Sequence, residues 1–184
     1  MTLLEKIKLR IILSLAEKGR TLDIGCGDQR FTKHLDDPIG VDSSEWNTSH
    51  DPQLRNVLDL RAVGEYLPFK DGSFKSVHLH DVLEHIPRIE QVRDEIYRVL
   101  EDGGALVQTD PKDLRLFIAR LLTGRIRQAL HHGMFGQGSG HVHNFNVTSL
   151  ITLFREKFRL EKSRGGLVFR AYKWRRVDDR ETND

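Results

Sequence analysis

The chain has a single cysteine, Cys26, so no internal disulfide framework is open to it. It has no run of apolar residues long enough to cross a bilayer, and its first residues lack the pattern of a secretory leader. These absences predict a cytoplasmic chain without a transmembrane anchor, in which Cys26 is a small buried residue rather than a reactive thiol. Net charge is also scarce: 29 Lys and Arg stand against 27 Asp and Glu in 184 residues, a formal +2. That length suits one well-buried core and is short for two, so 1–177 reads as a single domain and 178–184 as a polar tail.

Charge is unevenly spread. Residues 23–102 hold nine Lys or Arg against seventeen acids, and residues 103–184 hold fifteen against eight, a contrast of −8 with +7. The basic part is read either as solvated strand and helix faces or as an anion-binding surface.

Leu3, Leu4, Ile7, Ile11, Ile12 and Leu15 follow helical spacing, with Gly19 as a stop, and predict an amphipathic helix packed on the first strand. The run Thr21-Leu22-Asp23-Ile24-Gly25-Cys26-Gly27-Asp28 then reads as a parallel strand and a tight turn, with a helix over 29–35 that Pro38 ends. Glycines let the backbone approach a ligand, and the free N–H groups of a helix start would point into the same space. Further strands are expected at 39–42, 56–60, 74–80 and 105–109, with an amphipathic helix over 89–100 stopped by Gly103-Gly104. Asn146 caps a helix to about Lys157, and 158–163 with 167–174 form a hairpin around Arg164-Gly165-Gly166. The polar stretch 43–52 reads as a loop.

A nicotinamide-binding Rossmann domain wants Gly-x-Gly-x-x-Gly, but Arg30 stands at the third glycine position here. Asp23, two residues before Gly25, suits an ammonium better than a pyrophosphate. Asp42, closing the second strand, can accept hydrogen bonds from ribose hydroxyls. The residues therefore favour a sulfonium amino acid nucleoside.

Four blocks in order, Asp23-x-Gly25-x-Gly27, Val41-Asp42, the stretch from Leu67-Pro68-Phe69 to Ser73-Phe74, and Val82-Leu83-Glu84-His85-Ile86, resemble the class I S-adenosylmethionine-dependent methyltransferases. The resemblance implies an α/β fold: a Rossmann-like, doubly wound, seven-stranded, mostly parallel sheet with an antiparallel C-terminal hairpin. It implies S-adenosylmethionine as cofactor and S-adenosylhomocysteine as product, bound by Asp23, Gly25, Cys26, Gly27, Asp42, Ser43 and His80, with Asp59 or Leu60 at the adenine amino group. Two departures stand out. Gln29 replaces a usual glycine and would place a side chain where the methionine part of the cofactor passes; Lys75 replaces a common Asp at the start of a strand.

The resemblance also places 81–85, at the carboxyl end of the 74–80 strand, beside the transferable methyl, and the catalytic candidates are His80, Asp81, His85 and His143. Asp81-x-x-Glu84-His85 with His141-x-His143 is similar to metal-dependent O-methyltransferases, so Asp81, Glu84, His85 and His143 are the alternative divalent-metal ligands. The same Asp81-x-x-Glu84 spacing is also a capping box, and no metal is the favoured reading. Residues 111–145, with His131, His132, Arg115, Arg120, Arg125 and Arg127, are expected to form a lid over the acceptor. The expected reaction is methyl transfer to an O or N atom of an anionic, phosphate-bearing acceptor: a small molecule, a lipid or RNA. The competing classes are a cofactor-binding module without turnover and a partner-dependent subunit.

Overall fold

The computed structural model describes residues 1–43, 58–111, 143, 145–165 and 169–177, with 58, 59 and 111 described as backbone only. Seven strands, β1 (Thr21–Ile24), β2 (Pro38–Asp42), β3 (Leu58–Arg61), β4 (Phe74–His80), β5 (Leu100–Pro111), β6 (Phe158–Gly165) and β7 (Phe169–Arg176), join in one sheet. Their order is β3-β2-β1-β4-β5-β7-β6. The pairs from β3 through β5 are parallel, while β7 runs antiparallel to both β5 and β6. This is the doubly wound α/β sheet that the sequence predicts. The order reverses between β1 and β4, and such a reversal opens a crevice at the carboxyl ends of the strands.

Strand alternation divides the side chains between two faces. Leu22, Ile24, Val77, Leu79, Leu106, Tyr172 and Trp174 share one core with helix α2 (Ile89–Val99) and helix α3 (Val147–Phe154). In α2, Ile89, Val92, Ile96 and Val99 supply the buried stripe; Asn146 caps α3 by accepting from the Ser149 N–H at 2.9 Å. The block 67–71 is fastened to α2: Glu95 accepts from the Leu67 N–H, and Arg98 donates to the Leu67 and Phe69 carbonyls and to Asp71. Lys75 lies at the start of β4, paired with Glu101, and lines neither cavity described below.

On the opposite face lies helix α1 (Leu3–Leu13), capped by Thr2 and Glu5. It does not pack on β1. Leu15, just past its end, and Ile11 meet Val107 of β5 and Ala171 of β7 instead. The cause is polarity: the β1 residues that alternate with Leu22 and Ile24 are Thr21 and Asp23, which offer that face nothing apolar to cover.

Other elements depart from expectation at their ends. Residues 29–35 hold a single 3-10 turn, Thr32–His34, and no α-helix. Gln29 sits at φ 58, and a left-handed residue there cannot begin a right-handed helix. The first two residues of the strand expected at 56–60 lie outside the described residues, and the strand runs one residue past its expected end, to Arg61. Strand β5 starts five earlier because Leu100 already pairs with Phe74; the register then passes to Ser76 with Ala105, and Gly103 at φ 67 absorbs the extra residues. The α3 helix stops at Phe154 rather than near Lys157, and both hairpin strands extend two residues past the expected ends, to Gly165 and Arg176. The loop expected at 43–52 beyond Ser43, the tail 178–184 and most of the lid expected at 111–145 lie outside the described residues.

Candidate active site

The turn after β1 is fixed by its neighbour strand. The N–H groups of Gly25 and Cys26 both donate to the Val41 carbonyl, at 2.8 and 3.1 Å, and the Gly27 N–H donates to Asp42 Oδ2 at 2.9 Å. The Gln29 N–H closes on the Cys26 carbonyl at 2.8 Å. The expected free N–H groups of a helix start are therefore not present at these four residues: they bind β2 and the turn itself. Gly25 must be glycine, since at φ 70 a Cβ would stand 2.5 Å from Val82 Cγ2. Gln29 is buried and lines neither cavity, so its side chain does not enter the space next to Gly25. The left-handed φ of Gln29 supplies a reason for a glycine there.

Two cavities flank Gly25, which borders both. The larger, about 460 Å³, is lined by Asp23, Gly25, Cys26, Gly27, His80 and Asp81, by Leu4, Glu5 and Lys8 of α1, and by Asp28, Arg30, Phe31 and Phe169. The smaller, about 230 Å³, is lined by Asp42, Ser43, residues 62–65, Val82 and His85 among others. Leu60 borders neither and packs on the core, while the Asp59 backbone pairs with Gly40 within the sheet. Strand β3 runs on to Arg61, and the next residue, Ala62, lines the smaller cavity and donates its N–H to the Asp42 carbonyl at 3.0 Å.

Burial governs the charges in the larger cavity. Asp23 accepts from Thr32 Oγ1 at 2.5 Å. Loss of solvent pushes its carboxyl up to about 7, against the Thr32 hydrogen bond and with some help from the Asp42 charge. His78 and His80 touch through Nδ1 and Nε2 at 3.2 Å. Burial lowers His78 to about 3 and takes His80 well below the usual histidine range, with His78 and Lys8 adding to the shift on His80. Both imidazoles are neutral at physiological pH. Glu84, almost fully buried, is raised to about 8 chiefly by desolvation, with the Asp81 and Asp110 charges acting in the same direction.

Asp81 stands at φ 57 with both carboxylate oxygens engaged: Oδ1 accepts from Thr109 Oγ1 at 3.0 Å, and Oδ2 pairs with the Lys8 ammonium. The capping box expected for Asp81 and Glu84 does not form, because 83–85 is a 3-10 turn with no side-chain cap. His80 and Asp81 thus share the larger cavity, while His85 borders the smaller one. His143 approaches Glu84 through the backbone, its N–H donating to the Glu84 carbonyl at 3.2 Å. Among the described residues no three His, Cys, Asp or Glu side chains gather as metal ligands. His131, His132, His141 and the arginines at 115, 120, 125 and 127 lie outside the described residues.

The sequence reading missed Lys8, Glu5, Arg30, Phe31 and Phe169 as lining residues, and His78 behind His80. Lys8 had a signal: it stands four residues before Ile12, on the buried side of α1. Phe169 comes from the far end of the chain and had none. The basic C-terminal part is partly neutralised within the fold, where Lys173 and Arg175 pair with Glu17 and Glu161, Arg176 with Asp102, and Lys157 with Asp94.

Residues 22–108 match the model of a methyltransferase domain. An uncharacterized protein of Methanocaldococcus jannaschii is 38% identical over 90 residues, 49% of this chain and 43% of that one. The alignments span less than half the length of the curated relatives that the chain matches. A solved structure from Thermotoga maritima, described as an S-adenosylmethionine-dependent methyltransferase and possible histamine N-methyltransferase, superposes with TM-score 0.70 at 22% identity, covering 92% of this chain and 88% of that one. The N-methyltransferase NodS of Bradyrhizobium japonicum, solved with S-adenosylhomocysteine, gives TM-score 0.67 at 15% identity over 96% of this chain and 89% of that one. The shared fold is the Rossmann-like sheet of these methyltransferases.

Proposed function

We propose, from the match of residues 22–108 to the model of a methyltransferase domain, that the chain transfers a methyl group from S-adenosylmethionine to an O or N atom of an acceptor bound in the larger cavity. The observation that carries this is the pair of cavities meeting at Gly25, with Asp23 in one and Asp42 in the other. A nucleoside in the smaller cavity would offer its ribose hydroxyls to Asp42 and its base to residues 62–65. The amino acid part would cross Gly25, which borders both cavities, and place its ammonium at Asp23. A cation there restores the ionised state that burial disfavours in Asp23. The sulfonium methyl then faces His80 and Asp81, and reaction is an in-line displacement in which alignment of the nucleophile provides most of the help.

The neutral His80 and the Lys8-paired Asp81 are the candidate proton acceptors. The anionic acceptor suggested by the basic C-terminal part would draw on arginines outside the described residues; the described lining of the larger cavity carries Glu5, Asp23, Asp28 and Asp81 against Lys8 and Arg30. A cofactor-binding subunit without its own turnover is the alternative, and methyl transfer separates it from the enzyme.

Titration calorimetry with S-adenosylmethionine and S-adenosylhomocysteine tests the site. Asp42→Ala removes a charged acceptor worth roughly 1.5–3 kcal/mol, so affinity falls tenfold or more. No heat with either ligand, or equal affinity in the variant, refutes the assignment. Labelled methyl transfer into fractionated extract then identifies the acceptor class.

A further inference from the structure

Lys8 is 7% exposed, although it belongs to a helix whose outer face is open to solvent. Its ammonium meets three groups in the larger cavity: the Asp81 carboxylate, the Phe31 ring at 5.4 Å and the Phe169 ring at 5.7 Å. A carboxylate between two aromatic faces is the chemistry that recognises an alkylammonium ion. Thr109 and the backbone hold Asp81 in place, and Phe31 is braced edge-on by His80 at 5.5 Å. The cage is built largely by the sheet ends and the turn after β1, whereas its present occupant arrives from a separate helix.

Resting on the proposed methyl-transfer reading, we propose that the Asp81, Phe31 and Phe169 cage is the acceptor subsite, that it takes a primary alkylamine, and that Lys8 occupies it as an internal stand-in until the acceptor displaces it. Three features of the cavity agree. Its described lining is richer in carboxylates than in cations. Asp81 lies at the carboxyl end of β4, one residue from His80, beside the turn that would pass the sulfonium. Two of the contacts that hold α1 over the cavity, Lys8 to Asp81 and Glu5 to Arg30, are ion pairs that a competing cation can replace.

The chemistry balances. The acceptor ammonium gives one proton to the Asp81 carboxylate, which returns it to solvent. The freed nitrogen lone pair attacks the methyl carbon, the N–C bond forms, and the C–S bond breaks with its electrons left on sulfur. Products are a methylated amine and the neutral thioether S-adenosylhomocysteine.

Lys8→Ala leaves a vacancy the size of an alkylamine, and n-butylamine, n-butanol and butyrate are the probes. In the full-length variant saturated with S-adenosylhomocysteine, calorimetry is expected to show butylammonium binding at least about tenfold tighter than to the wild type, and about tenfold tighter than butanol or butyrate. With S-adenosylmethionine, butylamine should become methylated. Adding Asp81→Asn, which keeps the shape and tolerates the left-handed backbone, should remove the preference for the amine. Equal binding of amine and alcohol, with cofactor affinity intact, overturns the amine subsite and leaves the methyl-transfer reading standing. Preferential binding of butyrate overturns it in favour of an anionic acceptor. Loss of cofactor binding in the wild type overturns both readings.

Discussion

Replacing Asp23 by Asn should stabilise the ligand-free protein and abolish its cofactor site. Asp23 is 2% exposed, and its carboxyl titrates near 7 in the fold against an ordinary 3.8. Its folded-state value is raised, so its contribution to stability is fully present below pH 3.8 and is lost as pH rises toward and through 7. Above pH 7 the gap corresponds to roughly 4 kcal/mol against folding, an upper bound because the buried site relaxes. Asn keeps the size and the hydrogen bond to Thr32 without a charge to bury. For a chain of this length 1 kcal/mol moves the melting temperature by about 2–4 °C, so realising half of the bound gives roughly 4–8 °C at pH 8. The gain should shrink through the window from pH 7 to pH 3.8 and vanish below it. Calorimetric melts at pH 8 and pH 3.5 read the difference. Calorimetric titration at pH 8 should show S-adenosylmethionine affinity falling sharply in the same variant, because its ammonium loses the carboxylate. A melting gain that is equal at both pH values, or an affinity that does not change, would refute the argument that Asp23 is a buried charge awaiting a cation.

Gly25→Ala places a methyl 2.5 Å from Val82 at φ 70 and should cost more than about 1 kcal/mol, read by denaturant unfolding; an unchanged midpoint would show that the turn has slack. Turnover should be indifferent to chelator, and His143→Ala should not create a metal requirement, since Asp81 is already engaged by Lys8 and Thr109. Activity that falls with chelator and returns with a divalent ion would reinstate the metal reading.

Strands β1 and β2 were legible because each is a short, largely apolar run that closes on Gly25 or Asp42, a pattern that burial on both faces imposes before any tertiary contact is known. The amphipathic stripes of α2 and α3 were legible for the same reason. Helix 29–35 was not: its apolar spacing by Phe31 and Leu35 is helical, but the left-handed backbone at Gln29, held by the Cys26 carbonyl, overrides it. The place of Ala62 at the smaller cavity was not legible, because the distance a strand runs is set by pairing, and β3 continues to Arg61 alongside β2.

The sequence by itself determined the order of elements, the glycine turn and the two acidic residues that face it, because these depend on local backbone freedom and on alternation within single strands. Tertiary structure alone decided what fills the larger cavity. Lys8, Phe31, Asp81 and Phe169 are far apart in the chain, and their meeting depends on which sheet face α1 can cover. Thr21 and Asp23 make β1 too polar to receive an apolar stripe, so α1 seats Leu15 and Ile11 on Val107 and Ala171, and that placement carries Lys8 over the site.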